Sequence, residues 1–211
     1  MAIQLDFAHI QTSGFGEVKV MPDRALLRLR VEEQGQTAEE AKSAADSSVD
    51  SLFELWMNAG IKREQIESSN LYISPQYHYA KNDRPRELVG YKASRSITLH
   101  VEDISQLEQY MDMAMTAGVN RVDSITLQSS QLEQHQQRAL QLAIEDAKTK
   151  AARLAAGFDQ EIEQAWRINY SPARIQPMRA QAMDSQLETN SYQDQSIAIN
   201  ERVEVIFKLV Q

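Results

Sequence analysis

The chain has 211 residues, with 22 Lys and Arg against 30 Asp and Glu, so its formal net charge at pH 7 is −8. Cysteine is absent, which excludes disulfides, thiolate nucleophiles and cysteine-based metal sites. The acidic balance argues against a nucleic-acid or anionic-membrane surface, because both require clustered Lys and Arg. No apolar run approaches the roughly 20 residues that a bilayer-spanning helix needs.

The first half of the chain predicts two strands followed by a long helix. Residues 10–20 and 25–31 alternate apolar and polar positions, which is typical of strands with one buried face, and the short turn at Pro22-Asp23 predicts that they form a hairpin. Thr37 and Glu40 have capping-box spacing, an apolar residue recurs every three or four positions, and Gly60 follows. We therefore predict a helix over residues 37–59.

The remaining elements follow the same two periodicities. Arg95 interrupts the apolar face of the clearest strand, so we expect it to lie near a sheet edge or to pair with an acid. Asp103 with Gln106 and Ser130 with Glu133 are predicted helix N-termini. The predicted strands comprise 71–79, 89–101, 122–127, 161–170 and 202–209, the predicted helices begin at Asp103 and span 131–156, and 172–196 is predicted to be a long irregular loop.

An internal similarity links the ends of the first two helices. Ala59-Gly60-Ile61 leads to Leu71, and Ala117-Gly118-Val119 leads to Leu127 in much the same way. The similarity favours a repeated strand–strand–helix unit. The predicted fold class is α+β, an antiparallel-rich mixed sheet with three main helices packed on it, in a single domain over residues 9–210.

No catalytic, cofactor-binding or metal-binding residue is assigned from the sequence. Gly14 and Gly16 resemble the start of a dinucleotide fingerprint, but no third glycine follows, so close strand packing is the favoured reading. The four histidines lie far apart in the sequence and form no metal-ligand spacing; they are His9, His78, His100 and His135.

Two features are candidates for function by contact or by oxidation. Four tyrosines flank the charged loop 80–88, which carries Lys81, Arg84 and Arg86, and aromatic residues with Arg are typical both of interfaces and of ordinary hairpins. Methionine is frequent, with eight residues. The favoured interpretation is that Met111 and Met115 fill the core under the sheet and that the others are incidental. The alternative is sacrificial oxidation or Cu(I) binding by the clustered methionines, which are Met111, Met113, Met115, Met178 and Met183.

The order and spacing of these motifs resemble the SIMPL-domain family, the group of the bacterial oxidative-stress defence protein YggE. The resemblance covers nearly the whole chain, from His9 to Leu209. It rests on short segments in a fixed order: Thr12-Ser13-Gly14-Phe15-Gly16, Met21-Pro22-Asp23, Ala59-Gly60-Ile61, Ser69-Asn70-Leu71, Pro75-Gln76-Tyr77, Gly90-Tyr91-Lys92-Ala93 and Ala117-Gly118-Val119-Asn120.

This resemblance implies a periplasmic protein made with a signal peptide, associated with lowered oxidative damage, and with no established catalytic residue. Met1 to Phe7 has no signal-peptide character, so we expect the given sequence to begin after the cleavage site. A related member forms a channel-like homo-oligomer and a eukaryotic member is an adaptor. The resemblance therefore implies a homo-oligomer or a protein partner.

The expected function is non-enzymatic scaffolding or binding in oxidative-stress defence, without a cofactor or metal. Residues 80–88 and 172–196 are the segments we expect to mediate assembly, so deleting 175–193 should reduce it while leaving the fold intact. The alternatives are an enzyme with an unrecognised site and a sacrificial, methionine-based oxidant scavenger.

Overall fold

The computed structural model describes residues 6–78, 87–172 and 196–210. The predicted α+β class is confirmed, because three helices accompany antiparallel strands. Within the described residues the elements are β1 His9–Val20, β2 Arg24–Gly35, α1 Ala38–Asn58, β3 Ile66–Ser68, β4 Tyr72–His78, β5 Glu87–Val101, α2 Leu107–Thr116, β6 Arg121–Gln128, α3 Leu132–Ala156, β7 Ile162–Tyr170 and β8 Ile197–Leu209.

The described residues divide into two compact units. We call residues 22–78 and 87–128 the central unit, and residues 6–21, 129–172 and 196–210 the split unit. The central unit is therefore inserted into the chain of the split unit. The single domain over residues 9–210 stays a prediction, and most of the predicted loops, residues 80–86 and 173–195, lies outside the described residues.

The central unit is a five-stranded sheet accompanied by two helices, α1 and α2. Its sheet has the order β3-β5-β2-β6, with β4 continuing the pairing of β5, and every pair is antiparallel. The chain order β2-α1-β3-β5-α2-β6 makes this the split βαβ arrangement of ferredoxin-like folds. Alternate strand residues and one stripe of α1 form the core: Leu27, Leu29, Val31, Ala93, Ile97, Leu99, Ala41, Ala45, Val49, Leu52 and Trp56.

This topology corrects the predicted repeat. Each half of the central unit is strand–helix–strand, β2-α1-β3 and β5-α2-β6, and not strand–strand–helix. The similarity seen in the sequence is real, because Gly60 and Gly118 both have positive φ, +91° and +98°, just after a helix. The similar segments, 59–71 and 117–127, contain only the end of a helix and the strand that follows it. They carry no information about the strand that precedes each helix, so the order of elements in the repeat was predicted wrongly.

The helix N-termini are predicted unequally well. At α1, the Glu40 N–H donates to Thr37 Oγ1 at 3.1 Å and the Glu40 carboxylate accepts from the Thr37 N–H at 3.3 Å, as the capping box requires. Asp103 instead caps a short 3₁₀ turn that precedes α2. α3 begins at Leu132, and the preceding Gln131 makes no capping hydrogen bond through its side chain.

The split unit packs a small sheet against one long helix. Its strands have the order β1-β8-β7, and α3 lies on β1 and β8. The helix presents a stripe of alanine at intervals of four residues, Ala139, Ala143, Ala147, Ala151 and Ala155, all of them buried. Gly14 and Gly16 on β1 have no side chains between the strand and this stripe, so the helix backbone comes within contact distance of the sheet.

The predicted hairpin between the first two strands is wrong. β1 pairs with β8, Gly14 opposite Val203, while β2 pairs with β5 and β6 in the other sheet. The segment at Met21-Pro22 is the crossing from the split unit to the central unit. Alternation in a sequence identifies which face of a strand is buried, but it carries no information about the strand's partner.

Candidate functional site

The histidines do not converge on a metal site. His100 Nε2 lies 3.0 Å from Glu67 Oε1 and His9 Nδ1 lies 2.8 Å from the Phe7 carbonyl oxygen, in different units, and His135 lies on α3. Across residues 6–78, 87–172 and 196–210, no three His, Asp or Glu side chains form a group that could hold a metal. No chemistry is assigned to these side chains.

The prediction for Arg95 is confirmed. Its Nη1 lies 3.5 Å from Asp46 Oδ1 on α1, and Arg95 stands on β5 opposite Val31 of β2. The guanidinium thus crosses from the sheet to the helix at a position where the neighbouring side chains are apolar. A half-buried charge is tolerated there because it has an acidic partner, itself half-buried.

The methionines are divided between half-buried and exposed positions. Met111 and Met113 are half-buried on α2, so core filling accounts for them at least in part. The predicted core position of Met115 is wrong, because its side chain is 56% exposed near the end of α2; Met21 and Met57 are 56% and 48% exposed. Met178 and Met183 lie outside the described residues, so the sacrificial role stays a prediction.

A charged network lies on the sheet of the central unit. Arg30 Nη2 donates to Asp123 Oδ2 at 2.7 Å, and Lys92 and Arg121 lie 3.4 Å and 3.9 Å from Glu32 Oε1. Sequence reasoning missed this cluster, although the even-numbered positions of β2 carry it in the sequence as Arg28, Arg30 and Glu32. Three cations share two carboxylates, Glu32 and Asp123, and these contacts link β2 with β5 and with β6.

The two edges of the split-unit sheet differ in how their backbone groups are satisfied. At the β1 edge, the Phe15 N–H donates to Asp146 Oδ2 at 2.8 Å and Lys150 Nζ donates to the Ser13 carbonyl at 3.3 Å. Hydrogen bonds from Lys150 and from the Phe15 N–H lower the pKa of Asp146 below its usual value. Side chains of α3 therefore occupy the polar backbone groups that another strand would need.

Among the described residues, no strand pairs with the outer edge of β7. From Glu163 to Tyr170 every residue is exposed, which leaves both faces of the strand accessible. The apolar side chains among them are large: Ile168 is 64% exposed, Tyr170 42% and Trp166 40%. In the described part of the sheet β7 has β8 on one side only. A long edge strand that carries exposed apolar residues is suited to pairing with another strand.

Two contacts hold the exposed aromatic residues of β7 in place. The Tyr170 hydroxyl donates to Glu201 Oε2 at 3.2 Å, and Glu201 is only 2% exposed. Burial, together with the nearby Glu201 carboxylate, raises the pKa of Tyr170. Trp166 stacks edge-on against Phe7, with ring centroids 5.3 Å apart. Both aromatic side chains are thus ordered before any partner binds, which lowers the entropic cost of binding.

Sequence analysis missed both β7 as an open edge and Glu201 as a buried acid. A signal for Glu201 was available, because it shares odd-numbered positions of β8 with the apolar residues Val203, Val205 and Phe207. An acid in register with a buried face indicates a specific partner. No such signal exists for the open edge, since β7 reads as an ordinary strand.

The fold is that of an α+β protein with two antiparallel sheets, one in each unit. Comparison with known sequences identifies its family. The chain belongs to the SIMPL family, described as proteins of unknown function (DUF541), which it matches over residues 10–207. The resemblance drawn from the short motifs is therefore confirmed. Within the described residues, no helix combines the length and apolar character needed to cross a membrane.

Several curated relatives match nearly the full length. The chain is 31% identical to the uncharacterized protein YggE of Edwardsiella ictaluri, over 95% of this chain and 87% of that protein. It is 30% identical to the uncharacterized protein YggE of Escherichia coli K12, over 97% of this chain and 84% of that protein. A 26 kDa periplasmic immunogenic protein of Brucella melitensis is 29% identical over 74% of this chain and 65% of that protein.

Proposed function

We propose that this chain is a non-enzymatic, periplasmic protein of the YggE type that acts in oxidative-stress defence as a homo-oligomeric scaffold or binding protein. The open edge of β7 is the observation that carries the proposal. Asp146 and Lys150 occupy two backbone groups of the β1 edge, whereas residues 163–170 of β7 are all exposed and include large apolar side chains. Such a difference is expected when one edge is kept for a partner.

The periplasmic location is supported by the similarity to the Brucella relative, which is named a periplasmic immunogenic protein. Fractionation of the native organism, with an antibody against this chain, tests the location directly. Recovery with cytoplasmic markers would contradict the proposal.

The self-association is tested by the absolute mass of the purified chain in solution. The monomer is 24.0 kDa, so light scattering after size-exclusion chromatography separates the states of assembly. We expect a discrete multiple of this mass that persists on dilution, as a closed symmetric assembly would give. A mass of one monomer at every concentration and salt would contradict the homo-oligomer.

The non-enzymatic role has its own test. The purified, metal-analysed chain should consume hydrogen peroxide no faster than a buffer control, while expression of the chain restores the survival of an oxidant-treated deletion strain. Peroxide turnover that follows the protein concentration would replace this proposal with the enzyme alternative.

A further inference from the structure

The β7 edge carries a pattern of charges and apolar side chains that matches itself in one antiparallel register. We propose that β7 pairs with β7 of a second copy of this chain, with Ala165 opposite Ala165 of the other copy on the twofold axis. This inference rests on the proposed self-association and specifies the surface and register that produce it. The result would be one continuous sheet with the strand order β1-β8-β7-β7-β8-β1.

The charges support this register. Glu163 and Arg167 lie two residues on either side of Ala165, so an antiparallel pair centred there places Glu163 of each copy opposite Arg167 of the other. Both side chains are exposed. Opposite charges directly across two strands stabilise the pair, and the twofold axis provides this contact twice.

The apolar side chains support the same register. Ile162 packs against the core cluster beneath α3, and Ile168 stands opposite Val205 of that cluster, so both lie on the helix-facing side of β7. Arg167 stands opposite Ile206, on the other side. Centring on Ala165 brings Ile162 of each copy opposite Ile168 of the other, on the face that the charges do not use.

Of the two neighbouring registers, the one centred on Gln164 keeps a charge pair, with Glu161 opposite Arg167, but removes Glu163 from it, whereas the one centred on Trp166 loses both kinds of complementarity. Centring the pair on Trp166 places Glu163 opposite Asn169 and Ile168 opposite Gln164. The strand also contains two irregularities, between Ile162 and Ala165 and between Ala165 and Arg167. These irregularities lie on both sides of Ala165. In the proposed register the irregular segment of one copy therefore faces that of the other, and both β7 strands bend at the same position.

The absence of cysteine permits a direct test by crosslinking. Residues directly opposite in an antiparallel pair have Cα atoms about 4.5–5.5 Å apart, within the range that a disulfide spans. Ala165→Cys in the full chain should therefore form a covalent dimer on treatment with diamide. Asn169→Cys is the matched control: the two copies of residue 169 would lie eight residues out of register, roughly 27 Å apart, and should stay reduced.

A charge exchange provides a second, independent readout. Glu163→Arg or Arg167→Glu alone places like charges opposite each other twice, so each should weaken the dimer about tenfold. The double variant E163R/R167E restores opposite charges and should recover the wild-type affinity to within about threefold. The control pair E145R and K148E makes the same charge changes on exposed positions of α3 and should have no effect.

The outcomes separate this inference from the proposed function. If the wild-type chain associates while Ala165→Cys stays reduced and the double variant does not recover, the β7 register is overturned and self-association stands. If the wild-type chain is a monomer throughout, self-association and this inference both fail. Thermal unfolding of each variant identifies any loss of association that is caused by misfolding.

Discussion

At the scale of single residues, the closest approach between elements depends on the absence of two side chains. A Cβ atom built on Gly14 would lie 1.8 Å from the Ala143 carbonyl oxygen, and one built on Gly16 would lie 2.0 Å from that of Ala139. These neighbours are backbone atoms of α3, so they cannot move aside by changing rotamer. Substitution would push the helix away from the sheet and open the packing of the alanine stripe.

We therefore expect Gly16→Ala to lower the free energy of unfolding by about 3 kcal/mol, at the upper end of what overpacking costs. Gly157→Ala is the matched control, because its Cβ would meet no atom closer than 3.5 Å; we expect a change smaller than about 1 kcal/mol. Urea denaturation of both variants measures the difference. Equal stability of the two would mean that α3 does not depend on close contact with β1.

At the scale of elements, the hydrogen bonds between α3 and the edge of β1 make the stability of the fold depend on pH through Asp146. Its pKa is lowered in the folded chain, first by the hydrogen bond from Lys150 and then by that from the Phe15 N–H. A carboxyl group with a lowered folded pKa stabilises the fold above its unfolded pKa, near 3.8. That contribution is lost as the pH falls through the folded value.

The stability difference between wild type and Asp146→Asn should accordingly be constant near neutral pH and should shrink below about pH 4. Chemical denaturation at a series of pH values measures it. Glu145→Gln removes the same charge from a neighbouring exposed position and serves as the control. A difference between wild type and Asp146→Asn that persists unchanged at pH 2 would show that the carboxylate's charge contributes nothing to the β1 edge.

Helices and strands were predictable from the sequence to the extent that local chemistry determines them. α1 has its cap, apolar stripe and terminal glycine within one contiguous segment, and its predicted span of 37–59 differs by one residue at each end from Ala38–Asn58. The partner of β1 lies beyond residue 196, and such long-range pairing has no local signature. Whether another strand pairs with the edge of β7 depends on residues elsewhere in the chain, and the alternation of residues within β7 contains no information about them.

At the scale of the whole molecule, the central unit begins and ends at the same place. The Asp23 N–H donates to the Gln128 carbonyl oxygen at 3.2 Å, and Arg24 stands opposite Gln128 where β2 pairs with β6. The points at which the chain enters and leaves the central unit are therefore adjacent. A unit with adjacent ends and its own core can be removed or inserted without stretching the chain that remains.

This arrangement permits a test of which unit is responsible for association. Residues 22–128, expressed alone, should fold with a single cooperative transition and remain monomeric, because their sheet does not contain β7. A chain in which a short Gly-Ser linker replaces residues 22–128 retains β1, α3, β7 and β8, and it should associate as the full chain does. Light scattering of the two fragments beside the full chain distinguishes them. Association of the central unit alone would place the interface within residues 22–128, which include the predicted assembly segment 80–88, and would contradict pairing through β7.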